Sequence, residues 1–154
     1  MINIYLAVTR FLICLKPRMA FETSMHPTTQ LCLKALEKLD LQKKLVLDIE
    51  TGSGILSISS IKLGAKAVTA CDVDPITIEI AQQNSCQNKV KLISGDVTAI
   101  PKHPFDIIIA NINIAVLRKS LGLFVPYLGP SSLLILSGIL RKDADNFVKS
   151  AQCL

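Results

Sequence analysis

Five short runs rich in Val, Ile and Leu, with a helix-length segment between nearly every consecutive pair, constrain this chain more than any other feature. The runs are Leu45 to Ile49, Ala67 to Asp72, Val90 to Ser94, Phe105 to Asn111 and Ser132 to Ser137. Each is the length of a strand and largely apolar on both faces, the pattern of strands buried from both sides in a parallel sheet. Helical periodicity fills Gly54 to Leu63, Pro75 to Gln87, Ala115 to Phe124 and Lys142 to Ala151. Upstream, a loop over Met19 to Pro27 leads to Thr28 and Thr29, placed to cap a helix running to about Lys38. Strand-helix alternation with right-handed crossovers gives an α/β fold, a Rossmann-like doubly wound and mainly parallel sheet.

The chain has 154 residues, of which 50% are hydrophobic and 19% charged, enough to bury the core of one domain and too apolar for disorder. Residues 1–16 stand apart as an apolar segment. Met1 to Leu15 carry Arg10 in their middle, lack a positive start and a small-residue cleavage site, and are too short to span a membrane. A terminal strand or helix packed on the core is expected there, with one domain over 17–154. The five cysteines show no CxxC pair and no histidine at zinc-ligand spacing, so no metal site is expected and reduced thiols suit a cytoplasmic protein. The net charge of +5 comes from basic residues scattered singly or in pairs such as Lys43-Lys44 and Arg118-Lys119. An excess of this size usually reflects a solvated surface, with an RNA-bound or acidic partner as the alternative.

In a doubly wound sheet ligands bind beyond the carboxyl ends of the strands, so the first strand-to-helix turn is the place to look. It reads Asp48-Ile49-Glu50-Thr51-Gly52-Ser53-Gly54-Ile55-Leu56. Gly52 and Gly54 allow a tight turn and close approach to a ligand, and the helix-start amides can donate hydrogen bonds. Asp72 ends the second strand eighteen residues after Gly54, where a carboxylate can accept both hydroxyls of a ribose. A dinucleotide would bring a pyrophosphate to this loop, and Asp48 and Glu50 would repel it. A cationic methionine moiety suits them, because nearby unit charges are worth on the order of a few kcal/mol near a protein surface. The loop has Ser57 where a third glycine would stand and no Walker-type lysine, so S-adenosylmethionine is the cofactor expected.

Further along, Asp96 follows the third strand, where it can accept the adenine amino group or simply make a turn. Asp74-Pro75 has the form of an N-cap followed by proline at the first helical position. Asn111 ends the fourth strand beside the expected pocket, where its carbonyl can orient a substrate amine toward the methyl carbon.

Several motifs together resemble one family. They are Met19-Ala-Phe-Glu-Thr-Ser-Met-His-Pro-Thr-Thr29, Asp48 to Leu56, Cys71-Asp-Val-Asp-Pro75, Ala110-Asn-Ile112 and Leu136-Ser-Gly-Ile-Leu140. The chain is similar over Pro17 to Asp143 to the PrmA family, bacterial methyltransferases of ribosomal protein eleven of the large subunit. The resemblance implies a class I methyltransferase fold, S-adenosylmethionine as cofactor, and methylation of lysine or N-terminal amines on a ribosomal protein; no direct DNA binding and no membrane contact are expected. It places cofactor contacts on Thr29, Glu50, Asp72 and Asn111. The family has glycine where this sequence has Glu50, and two more glycines are replaced between Phe21 and Pro27. It also carries an N-terminal recognition domain and a final antiparallel strand pair not found in this sequence, so a sheet lacking that pair, with one open edge, is expected.

Two other readings compete. A non-catalytic remnant is suggested by Glu50 and Glu22 in glycine positions. A nicotinamide-binding oxidoreductase is opposed by Asp48 and Glu50 and by the lack of an evident Tyr-Lys pair.

Overall fold

The computed structural model describes residues 4–8, 11–15, 26–85 and 89–151. The apolar start forms two strands, β1 (Ile4–Val8) and β2 (Phe11–Leu15), paired antiparallel as a separate two-stranded sheet. The expected loop from Met19 falls largely outside the described residues, as do Glu22 and Cys86. Helix α1 (Pro27–Glu37) follows. Its cap is His26, whose Nδ1 accepts from the Thr28 backbone N–H, and Pro27 occupies the first turn. This corrects the assignment of the cap to Thr28 and Thr29, because proline is pre-set for the first helical position and pushes the cap one residue back.

The remaining elements alternate: β3 (Leu45–Ile49), α2 (Ile55–Lys62), β4 (Ala67–Asp72), α3 (Pro75–Asn84), β5 (Val90–Ser94), β6 (Phe105–Asn111), α4 (Ile114–Phe124), β7 (Leu128–Ser137) and α5 (Arg141–Ala151). Gly54 caps α2 rather than joining it. Helix α3 stops at Asn84, short of the expected Gln87. Strand β7 starts four residues earlier than its apolar run, since Leu128 pairs with Phe105 and the register then shifts through residues 129–132 before Leu133 pairs with Ile107.

The sheet order is β5-β4-β3-β6-β7 and every pairing is parallel, which sharpens "mainly parallel" to wholly parallel among the described residues. Alternate residues of each strand serve opposite faces. Val46, Val68, Ala70, Ile107 and Ile109 pack with Leu33, Leu36, Ile55 and Ile58 of α1 and α2. Leu47, Ile49, Cys71, Ile108 and Ala110 pack with Leu117, Leu121 and Phe124 of α4 and Phe147 of α5. Burial on both faces is why these strands read as continuous apolar runs. Among the described residues β7 pairs on one side only, with β6, which matches the open edge expected there. The order reverses between β3 and β6, and this switch point sets the crevice at the carboxyl ends of the strands.

Candidate active site

Residues 50–54 leave the end of β3 at that crevice. Gly52 (φ 56°) and Gly54 (φ 80°) are both left-handed, the conformation their lack of Cβ permits. A Cβ on Gly54 would press on Ala81 of α3 at 3.3 Å, so the glycine also lets the helix approach. The loop is tied on both sides: the Thr51 N–H donates to the Cys71 carbonyl (3.0 Å) and Asn84 Nδ2 donates to the Ser53 carbonyl (2.9 Å).

Glu50 takes φ 58°, one of two non-glycine residues in the left-handed region among those described. That conformation costs an L-residue with a side chain roughly 1–2 kcal/mol. The strain lies where the family resemblance calls for glycine. Burial pushes the half-buried Glu50 carboxyl above its ordinary range, and the neighbouring charges of Asp72 and Asp96 push it further.

Asp48 does not line the loop's surface as the charge argument supposed. It is buried beneath it, with Oδ2 accepting from Thr51 Oγ1 (2.7 Å) and Ser57 Oγ (2.6 Å). Ser57, in the third-glycine position, therefore anchors this acid. Burial outweighs those hydrogen bonds and raises the Asp48 carboxyl to about 6. Its Oδ1 and the hydroxyl of Ser53 are buried without a hydrogen-bond partner. The acid shapes the turn from below.

Asp72 ends β4 with its carboxylate held by two backbone amides: Oδ2 accepts from Gly52 (3.0 Å) and Oδ1 from Asp74 (3.0 Å). Each oxygen keeps a lone pair for another donor. Asp74 caps α3 by accepting from the Ile76 N–H (2.9 Å), as its sequence suggested. Asp96 is exposed and caps the 3-10 turn Val97–Ala99 through the Thr98 N–H (2.8 Å), and the Thr98 hydroxyl, with that N–H, holds its carboxyl below the usual range. It thus makes the turn that was its alternative reading, and its charge still reaches Glu50.

Asn111 and Thr29 meet across the crevice. Both are buried, and Asn111 Nδ2 donates to Thr29 Oγ1 (3.1 Å), joining the end of β6 to the start of α1. The amide is thereby oriented with its carbonyl oxygen on the other side. Nearby, Ser137 Oγ donates to the Thr28 carbonyl (3.4 Å), and Gly138 (φ 83°) lies against the Ile112 carbonyl, which a Cβ would approach to 2.0 Å.

Two residues escaped the sequence reading. Val73 and Ile76, 58% and 67% exposed, present apolar side chains just after Asp72. An apolar pair left in water beside a carboxylate at a sheet's carboxyl edge was the available signal, masked because Val73 reads as the continuation of a strand. Among the described residues, no group of three or more His, Cys, Asp or Glu is placed to hold a metal ion, and no helix is long and apolar enough to cross a membrane.

A wholly parallel sheet with a glycine turn at its switch point, a carboxylate ending the next strand and a buried asparagine across the crevice define a class I methyltransferase domain. Precorrin-6y C5,15-methyltransferase from Geobacter metallireducens shares the fold, with a TM-score of 0.66 at 17% identity over 83% of this chain and 72% of that one. The chain belongs to the ribosomal protein L11 methyltransferase (PrmA) family, whose model matches residues 4–152. That match takes in the β1–β2 pair, beyond the resembling stretch from Pro17 to Asp143. The L11 methyltransferase of Colwellia psychrerythraea is 41% identical over 134 residues, 86% of this chain and 46% of the relative. The L11 methylase structure from Lactobacillus delbrueckii subsp. bulgaricus superimposes with a TM-score of 0.80 at 32% identity, covering 90% of this chain and 72% of that one. The chain spans about half the length of the curated relatives it matches.

Proposed function

We propose that this chain binds S-adenosylmethionine at the crevice between β3 and β6 and serves methyl transfer to lysine or N-terminal amines of a ribosomal protein in the cytoplasm. The observation that carries the reading is Asp72: a carboxylate fixed by the amides of Gly52 and Asp74 has its direction set before any ligand arrives, as a ribose clamp requires. The site fits such a ligand in charge as well. Glu50, Asp72 and Asp96 gather at the loop, and the unpartnered oxygen of Asp48 adds to an environment short of positive charge.

When bound, S-adenosylmethionine supplies a methyl group already activated on a sulfonium. The chain's own residues then hold and orient. Asp72 accepts hydroxyl donors, Val73 and Ile76 give an apolar surface beside it for a flat base, and Asp96 has a second oxygen for an exocyclic amine. Gly52 and Gly54 keep side chains out of the loop, and Asp48 sets its shape from beneath. Asn111, turned by its bond to Thr29, offers its carbonyl to the N–H of an incoming neutral amine and aims the nitrogen lone pair. An acidic edge also attracts a cationic protein substrate.

A second reading, a remnant with weak or no cofactor binding, is favoured by the left-handed backbone of Glu50. Incubating the purified chain with methyl-labelled S-adenosylmethionine and ribosomal protein L11 tests catalysis. Label appearing on amines of L11, and falling at least tenfold in Asn111→Ala, supports methyl transfer; no label at any enzyme concentration supports the remnant.

A further inference from the structure

Lysines that look scattered in the sequence are brought into a row by the fold. In the sheet order β5, β4, β3, β6, the strands are entered through Lys89, Lys66, Lys44 and Lys102, each within three residues of its strand's first residue. Backbone bonds fix the neighbours: the Lys66 N–H donates to the Lys44 carbonyl (2.8 Å), and the Val68 N–H to the Lys89 carbonyl (3.0 Å). Adjacent strands lie about 4.8 Å apart, so the three entrances at Lys89, Lys66 and Lys44 span roughly 10 Å, and Lys102 stands ahead of the fourth. Lys66, Lys89 and Lys102 are exposed, while Lys44 is half-buried and pairs with Asp106 (3.4 Å). Exposed Lys43 and Lys91 flank the row, and Glu37, Asp40 and Asp106 are acids of the segments that lead into or open these strands.

The opposite edge is acidic. Asp48, Glu50, Asp72, Asp74 and Asp96 all sit at the carboxyl ends of β3, β4 and β5. Strands of this length put about 17–20 Å between the edges, about two Debye lengths at physiological salt, so each acts on its own partner.

We propose that the amino-terminal edge of the sheet is an RNA-docking surface that grips the phosphate backbone and turns the acidic, cofactor-binding edge away from the RNA. Lysines are compact point charges that neutralise phosphates without reading bases, and several of them gathered at one edge with few acids suit a polyanion. A lipid surface suits it less, because the exposed apolar side chains of this edge, Val125 and Leu128, lie beyond β6 at its β7 end and not among the lysines. The proposal rests on the reading of the opposite edge as the cofactor site.

Fluorescence anisotropy with a labelled 20-nucleotide oligouridylate, from 50 to 200 mM salt, tests this. The wild-type chain is expected to bind with a log–log salt slope of about −2 to −3, three to four phosphates neutralised. The triple variant Lys66→Glu/Lys89→Glu/Lys102→Glu is expected to bind at least tenfold more weakly with a flatter slope, and Arg118→Glu/Lys119→Glu, on α4, to stay within threefold of wild type. The triple glutamine variant serves in place of the triple glutamate if circular dichroism shows the latter unfolded. No binding by wild type, equal losses in both charge-reversal variants, or row-dependent binding to phosphatidylserine vesicles with none to RNA would each overturn the proposal.

Discussion

Asn111 and Thr29, separated by 82 residues in sequence, share a buried hydrogen bond of 3.1 Å that joins the end of β6 to the first turn of α1. Removing its acceptor strands an amide N–H in the core. Thr29→Val is expected to lower unfolding free energy by about 1–3 kcal/mol in urea titration, and Thr29→Ser, which keeps the hydroxyl, by less than about 1 kcal/mol. Equal losses would mean that the methyl group contributes as much as the bond, and a loss in Thr29→Ser alone would mean that the bond does not matter at this position.

Glu50 occupies a backbone conformation that glycine adopts without strain. Glu50→Gly is expected to stabilise the fold by about 1 kcal/mol, read as a rise in melting temperature. Relief of the crowding of Glu50, Asp72 and Asp96 acts in the same direction, and more so at neutral than at acid pH.

The Asp48 carboxyl, raised to about 6 by burial, binds its proton more tightly in the folded chain than in the unfolded one. The stability it contributes is therefore fully present below its ordinary value near 4 and is lost as pH rises through about 6. Chemical denaturation of wild type and Asp48→Asn from pH 3.5 to 7.5 is expected to show the variant gaining relative stability across that window, on the order of 2 kcal/mol by pH 7. A constant difference would show that Asp48 titrates normally.

Two glycines should respond oppositely to alanine. Gly138→Ala drives a Cβ into the Ile112 carbonyl from a left-handed backbone, and is expected to cost roughly 2–4 kcal/mol and to weaken the site through the strand end that carries Asn111. Gly122, inside α4 with open space around it, should gain about 0.5–1 kcal/mol in Gly122→Ala. Thermal melts of the two variants check both signs.

The sheet was legible because burial on both faces writes strands as apolar runs: β3, β4, β5 and β6 have the bounds their Val, Ile and Leu content indicates. Leu128 to Ser132 of β7 were not, since Gly129, Pro130 and two serines fill an irregularity between the paired Leu128 and Leu133 and have little strand propensity. Within the site, Asp72, Gly52, Gly54 and Asn111 stand where strand ends and turn chemistry put them. Asp48 was misplaced because sequence gives a residue's position on a strand but not the depth of its side chain, which here is set by Ser57 from the covering helix. The lysine row was invisible for a related reason: Lys44, Lys66, Lys89 and Lys102 become neighbours only when parallel strands align their entrances.

Isothermal titration of the purified chain with S-adenosylmethionine, run beside Asp72→Ala and Glu50→Gly, bears most directly on the cofactor site. One molecule is expected to bind per chain, with affinity at least tenfold weaker in Asp72→Ala and equal or tighter in Glu50→Gly. Heat from Glu50→Gly alone would make the natural chain a remnant whose loop is closed by one side chain. Absence of binding by both wild type and Glu50→Gly would contradict the assignment of this crevice to S-adenosylmethionine.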